Sequence, residues 1–205
     1  MAQNGSKEPG RLYFAYGSNL STTQMRHRCP RSTPISLAYV SNWTWIINER
    51  GYANIVAIGC APADKTGLEA ETSDGGHVTG SSVYGLVYRL HPDDEAKLDR
   101  YEGVGFAYER WMILATEAKY PTGDAETRPH EGNASPMLDG NVELLTYIDT
   151  NHVTPSAPKE EYIDRMNVGI KEASEWGLPA SYVDDVIRRY IPAPVDEDEK
   201  DNEEE

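Results

Sequence analysis

Residues Tyr13 to Leu20 read YFAYGSNL, an aromatic, strand-forming run that passes directly into Gly17, Ser18 and Asn19. Ser21, followed three residues later by Gln24, then predicts a capping box that opens a short helix toward His27. A strand that turns through glycine into a helix N-cap lets a ligand approach the backbone closely, and its N–H groups suit carboxylate or oxyanion oxygens. The same residues also suit an ordinary turn, with Gly for positive φ and Asn for a side-chain turn bond, and on the turn alone both readings stand.

Working outward, period-two alternation and β-branched or aromatic enrichment predict strands over Leu12–Tyr16, Leu37–Ile47, Asn54–Ile58, Val83–Leu90, Trp111–Thr116 and Val142–Ile148. Pro92, with Asp93, Asp94 and Glu95 behind it, predicts a helix running toward Tyr101, because a first-turn proline and early acids match the positive end of the helix dipole. A longer helix is expected from Lys159 to Trp176, with Tyr162, Met166, Ile170 and Ala173 on one face and Gly177 and Pro179 ending it. Tyr182, Val183, Val186, Ile187 and Tyr190 suggest a second amphipathic helix, closed by Pro192. Strands first and helices late give an α+β fold, with a curled, mixed but mostly antiparallel sheet or small barrel and flanking helices. One domain is expected over residues 11–192, between a disordered N-terminus at 1–10 and a disordered acidic tail at 193–205.

The composition narrows the partners. Nineteen bases against 34 acids give a net charge of −15, which disfavours nucleic acid and anionic membrane surfaces. The last ten residues hold eight acids and one lysine, so the tail carries −7 and the rest of the chain −8. No apolar stretch approaches a membrane span, and two cysteines, Cys29 and Cys60, make no disulfide framework, so a cytoplasmic protein is expected. His27, His77, His91 and His130 are scattered singly and suggest no metal site. Gly67–Gly80 and Lys119–Gly140 read as loops, the second long enough to be either a functional lid or a surface insertion, of which the insertion is the favoured expectation.

The second informative stretch is Leu98 to Tyr108, LDRYEGVGFAY, where the helix after Pro92 stops at a glycine and leaves Glu102 at its C-terminal end. The helix dipole disfavours a carboxylate there, and Tyr101, Phe106 and Tyr108 are placed to desolvate it. Both effects raise its pKa toward that of a useful base. A surface glutamate at a helix-terminating turn has the same local sequence.

Together these segments resemble the γ-glutamylcyclotransferase family, in the branch with YGSNL after the first strand and the catalytic glutamate in an LDxxEG segment. The resemblance rests on FAYGSNL at 14–20, VYGLVY at 83–88, LDRYEG at 98–103, Tyr108, and GLP at 177–179 after a late helix. It implies an α+β fold around a small barrel, no cofactor and no metal. It makes Tyr13, Phe14, Ala15, Tyr16, Gly17, Ser18 and Asn19 the substrate loop, Glu102 the proton acceptor and Tyr108 a pocket wall. Where the family can present a tyrosine after the last core strand, this chain reads TNHVTPS and places His152, which is carried as a substrate contact or a surface loop residue.

The activity implied is conversion of a γ-glutamyl amide to 5-oxoproline and a free amine, with a small-molecule substrate as partner and a homodimer compatible with the sequence. Two other expectations stand beside it. The same chemistry can serve the γ-glutamyl group of a glutathione conjugate in detoxification or specialised metabolism, or the chain can be a non-catalytic γ-glutamyl-binding module.

Overall fold

The computed structural model describes residues 10–58, 82–118 and 140–194. The expectations for the N-terminus before residue 10, for the acidic tail from residue 195, for Gly67–Gly80 and for all of Lys119–Gly140 except Gly140 lie outside the described residues.

Five strands close a barrel in the order β1-β5-β2-β6-β7: β1 (Leu12–Ala15), β2 (Thr33–Ser41), β5 (Ser82–Arg89), β6 (Glu109–Glu117) and β7 (Asn141–Ile148). Neighbouring strands are antiparallel except at the closure, where β1 meets β7 in parallel at Tyr13 and Leu145. A separate two-stranded ribbon holds β3 (Trp43–Ile47) and β4 (Ala53–Ala57). The α+β barrel expected from the strand pattern is therefore the one observed. The single strand expected over Leu37–Ile47 is instead two strands in different sheets. They part at Asn42, a non-glycine residue with a φ of 65°, a left-handed turn that asparagine tolerates better than most residues.

Closure of the barrel removes exposed strand edges and gathers one core, in which Phe14, Leu86, Val87, Leu144 and Leu145 are at most 1% exposed. The helices are α1 (Thr22–Arg28), α2 (Pro92–Glu102), α3 (Glu160–Ser174) and α4 (Ala180–Asp185). Tyr162, Met166, Ile170 and Ala173 of α3 are all buried, as their spacing predicts. The helix expected over Tyr182–Tyr190 is shorter: it breaks after Asp185 and resumes as a single 3₁₀ turn at Ile187–Arg189. Among the described residues, no helix is long and apolar enough to cross a membrane.

Candidate active site

A cavity of about 260 Å³ opens at the end of β1. It takes its walls from six places in the chain: Tyr13 with the Tyr16–Asn19 turn, Arg28 on α1, the β3–β4 turn at Arg50–Ala53, the end of α2 with the turn that follows, Tyr147 on β7, and Tyr162 and Arg165 on α3. The turn after β1 does not run straight into α1. Ser18–Leu20 first forms one 3₁₀ turn, in which the Leu20 N–H donates to the Gly17 carbonyl and the Ser21 N–H to that of Ser18. Helix α3 lies close against this turn. A Cβ on Gly169 would come within 3.1 Å of the Leu20 side chain and 3.2 Å of the Ser21 nitrogen, so glycine there lets α3, which carries Tyr162 and Arg165, lie close to the turn after β1.

Glu102 is the last residue of α2, and Gly103 ends the helix with a φ of 63°. A Cβ at Gly103 would meet the exposed Phe106 ring at 2.7 Å, a clash the ring can leave, so this turn needs glycine for its left-handed backbone. The Glu102 carboxyl is 16% exposed, and Asn19 Nδ2 donates to its Oε1 at 2.9 Å. Desolvation by burial pushes its pKa above the ordinary carboxylate value. The nearby Arg28 guanidinium, the Asn19 hydrogen bond and Arg165 partly offset that rise.

Of the three rings that the sequence placed around Glu102, Tyr108 is a partly buried wall of the same cavity, and the other two are exposed. Tyr101 and Phe106 are 57% and 85% exposed, whereas Tyr13, Tyr16, Tyr147 and Tyr162 are buried cavity walls. Burial raises the pKa of the Tyr13, Tyr16 and Tyr108 phenols well above the usual value, and that of Tyr162 to about 12, so these hydroxyls stay neutral and able to donate.

A side-chain network fixes the turn. Asn19 Nδ2 also donates to the Tyr13 hydroxyl at 2.9 Å, while its Oδ1 accepts from Gln24 Nε2 at 2.8 Å and from Arg28 at 3.1 Å. With donors held on its oxygen side, the amide cannot flip without placing like against like, so its nitrogen faces Glu102. Ser21 caps α1 by accepting from the Gln24 N–H at 2.9 Å. Gln24 does not complete the expected box: its side chain reaches Ser18 Oγ and Asn19 instead, and its Oε1 accepts from Arg165 Nε. Ser18 donates its N–H to the Tyr162 hydroxyl at 3.2 Å and accepts from Arg165 on Oγ at 2.8 Å. The Ser18 N–H expected to face a ligand is thus already used, and the Tyr162 hydroxyl stands in its place at the cavity wall.

Of the substrate-loop residues expected from the sequence, Tyr13, Tyr16, Gly17, Ser18 and Asn19 line the cavity, as do Glu102 and Tyr108. Phe14 and Ala15 do not; they are buried in the core. The Tyr108 hydroxyl donates to the Ala53 carbonyl at 3.0 Å, which pins this wall to β4. His152 is not brought to the cavity. Its Nδ1 lies 2.9 Å from Asp149 Oδ2, its N–H donates to Asp149 Oδ1, and its ring is 42% exposed. The tether follows from a buried Asp149 placed three residues earlier, which draws donors from Asn48, Arg50, Asn151 and His152. The sequence reading missed Arg28, Arg50, Arg100 and Arg165, all of which line the cavity. The NERG turn between two strands carried a signal for Arg50, and the three-residue spacing from Tyr162 carried one for Arg165. Among the described residues, no group of three or more His, Cys, Asp or Glu side chains is arranged to hold a metal ion.

A small closed barrel with one desolvated carboxylate facing a glycine-bearing turn defines a barrel protein with a cavity at the end of its first strand. Three comparisons bear on that class. No family profile matches the chain. The chain is 25% identical to human γ-glutamylcyclotransferase over 183 residues, 87% of this chain and 78% of the human one, and 27% identical to the bovine enzyme over 176 residues, 83% and 74% of the two chains. A solved γ-glutamyl cyclotransferase structure superposes with a TM-score of 0.59 at 20% identity, covering 94% of this chain and 96% of that one. An uncharacterised human protein superposes with a TM-score of 0.60 at 21% identity, covering 95% and 98%. Over most of its length the chain is thus similar in sequence to γ-glutamylcyclotransferases, and it shares the fold of a solved one.

Proposed function

We propose that this protein is a γ-glutamylcyclotransferase that converts a γ-glutamyl amide to 5-oxoproline and a free amine, with Glu102 as the acid–base group. One observation carries the reading: a carboxylate with a raised pKa sits inside a cavity, hydrogen-bonded to the asparagine of the turn after β1. That is the equipment for moving a proton on and off a bound amine.

The substrate's α-ammonium group cannot attack until it loses a proton, and ionised Glu102 takes it. The freed amine attacks the γ-carbonyl of the same molecule, forming the ring C–N bond and a tetrahedral centre with an oxyanion. The ring nitrogen then sheds its second proton, collapse breaks the bond to the leaving nitrogen, and that nitrogen takes up both protons, one of them from Glu102, and departs as an ammonium group, so no water is consumed and no net proton is gained. Because nucleophile and electrophile share one molecule, correct folding of the chain in the site supplies up to about 7–11 kcal/mol of the barrier reduction. The neutral Tyr162 hydroxyl at the wall, which accepts from the Ser18 N–H and keeps its own proton to give, is a donor available to the oxyanion. The α-carboxylate finds Arg28 in the same wall, and that guanidinium is released from Glu102 when the carboxyl takes its proton.

The test is release of 5-oxoproline from γ-glutamyl-alanine by the full chain. Turnover that Glu102→Gln abolishes supports the assignment. Binding of the dipeptide without turnover excludes a cyclotransferase and makes the chain a γ-glutamyl-binding module.

A further inference from the structure

Six of the tyrosines that line the cavity are buried or half-buried, and their hydroxyl protons fall into two sets. Four are spent on the protein: Tyr16 donates to the Tyr147 carbonyl, Tyr52 to Glu161 at 3.1 Å, Tyr108 to the Ala53 carbonyl, and Tyr147 to Asp99 at 2.8 Å. Tyr13 and Tyr162 are the exceptions. Each accepts a hydrogen bond, from Asn19 Nδ2 and from the Ser18 N–H respectively, and among the described residues neither has an acceptor for its own proton.

The turn after β1 sets this pattern. Asn19 Oδ1 is occupied by donors from Gln24 and Arg28, so its nitrogen faces Tyr13, and a phenol oxygen that accepts there has its proton left to give elsewhere. The Tyr13 ring has little freedom: it is 4% exposed and packs edge-on against Tyr147, with ring centroids 5.6 Å apart. Burial foremost, and then the nearby Glu102 carboxylate, raise its pKa well above the usual phenol value, so the proton stays on the oxygen. The Tyr13 hydroxyl and the Glu102 carboxyl are each 2.9 Å from the same Asn19 nitrogen, which makes them neighbours.

Resting on the cyclotransferase reading above, we infer that Tyr13 is a catalytic residue whose hydroxyl donates, alongside Tyr162, to the oxyanion of the tetrahedral centre, and that Asn19 holds it in that role. The position follows from the chemistry. In the tetrahedral centre the attacking nitrogen and the oxyanion are bonded to one carbon, so the oxyanion forms next to the group that took the amine's proton. A donor for it must stand beside Glu102, and Tyr13 does. No proton is transferred in this contact. The hydrogen bond strengthens as negative charge gathers on the oxygen, so it favours the transition state over the bound substrate. The turn then acts at one remove: its Ser18 and Asn19 donors fill lone pairs on two phenols, which meet the substrate as donors in their turn.

The experiment compares γ-glutamyl-alanine with its γ-thioamide, in which sulfur replaces the carbonyl oxygen, by the release of free alanine. Sulfur is the weaker hydrogen-bond acceptor. Tyr13→Phe removes only the hydroxyl, and with the oxygen substrate its kcat should fall roughly 10²-fold to 10³-fold, the range for loss of one oxyanion donor, with KM little changed. With the thioamide the loss should be much smaller, so the oxygen-to-sulfur ratio of kcat drops. Tyr13→3-fluorotyrosine keeps the ring and its hydroxyl and makes that hydroxyl a stronger donor. It should raise the ratio above that of wild type.

Equal losses on both substrates in Tyr13→Phe would show that the hydroxyl only shapes the site and would overturn the inference, as would an unchanged ratio in the fluorinated protein. An acidic limb displaced in Tyr13→Phe with its plateau kcat intact would assign the hydroxyl to tuning Glu102, and overturns the inference too. Should Tyr13→Phe fail to fold, the fluorinated protein, which loses no hydrogen bond, decides alone. Absence of both free alanine and 5-oxoproline from γ-glutamyl-alanine with the wild-type protein is a different result. It overturns the cyclotransferase reading itself, and with it the premise that an oxyanion forms.

Discussion

Asn19 Nδ2 lies 2.9 Å from Glu102 Oε1, joining the turn after the first strand to the end of a helix 83 residues later. The amide donates to the ionised form of the carboxyl, so it pulls the Glu102 pKa down against the larger upward effect of burial. The pair thus tunes a carboxyl that stays ionisable inside the cavity wall. The same nitrogen donates to Tyr13, which makes one asparagine responsible for the geometry of two cavity residues.

Glu102→Gln keeps the size of the side chain and removes its ability to take a proton. It is expected to fold, to bind a γ-glutamyl substrate, and to lose roughly 10²-fold to 10⁴-fold in kcat, the range of general acid–base catalysis. The wild-type kcat/KM profile should show an acidic limb above the ordinary carboxylate range, because activity needs the ionised form of a group whose pKa is raised. Retention of more than about a tenth of kcat would remove Glu102 from the mechanism.

Arg28→Met and Asn19→Ala each delete an influence that lowers the Glu102 pKa, so each should move that acidic limb to higher pH. The shift should be larger for Arg28→Met, whose charge is the stronger of the two. Asn19→Ala should also cost stability, about 1–3 kcal/mol, since it leaves buried partners on Gln24 and Tyr13 unsatisfied. Steady-state rates between acidic and neutral pH, with urea unfolding beside them, separate the two effects. A limb that stays in place in both variants would mean it reports another group.

Much of this site was legible in the chain. Strand alternation gave the barrel strands, and a carboxylate followed by glycine at a helix end located Glu102 with its left-handed turn. What escaped was set by distant contacts. Arg50, Arg165 and Tyr162 reach the cavity because a β-turn and a late helix fold over the first turn; the turn signal at Arg50 and the helical spacing of Arg165 from Tyr162 are local and do not say that these elements meet. The break at Asn42 was hidden by continuous β propensity on both sides of one left-handed residue. Gln24 has the sequence of a capping-box partner, but the polar groups of Ser18 and Asn19 compete for its side chain and win.

The placement of His152 on Asp149 changes what a substitution there should do. His152→Ala removes a half-exposed ring and is expected to cost about 1 kcal/mol or less, with kcat and KM for γ-glutamyl dipeptides little changed. Asp149→Asn is the severe change. The buried carboxylate accepts from Asn48, Arg50 and two backbone N–H groups, and an amide would turn donors against donors, so a loss of about 3 kcal/mol is expected. Thermal unfolding of both variants checks the order. A kcat collapse in His152→Ala equal to that of Glu102→Gln would return His152 to the reaction.

Gly103→Ala tests whether the turn after α2 sets the position of Glu102. A φ of 63° costs an L-residue about 1–2 kcal/mol, and the added Cβ meets the Phe106 ring at 2.7 Å. Phe106 is free to move toward solvent, so the clash should be relieved by shifting the ring while the backbone strain stays. The expected result is a folded, destabilised protein whose kcat falls more than its substrate affinity, since a misplaced base is felt in the transition state. Wild-type kcat with only a lower melting temperature would show that Glu102 tolerates displacement.

The same glutamate should also leave a signature in stability that needs no substrate. A carboxyl whose pKa is raised by folding holds its proton in the native state over a window where the unfolded chain has already lost it. In that window the native state binds more protons than the unfolded state, so the contribution of Glu102 to stability falls as pH rises from the unfolded value through the raised folded value. Below the window the proton is present in both states and the penalty is absent; above it, the full penalty of burying the charge is felt. Glu102→Gln carries no charge to bury. The variant should therefore be more stable than wild type above the window and should lose that advantage as the pH is lowered through it. Melting temperatures of the two proteins across that range decide the matter, and a gain for the variant that grows toward acid would mean the Glu102 pKa is depressed rather than raised.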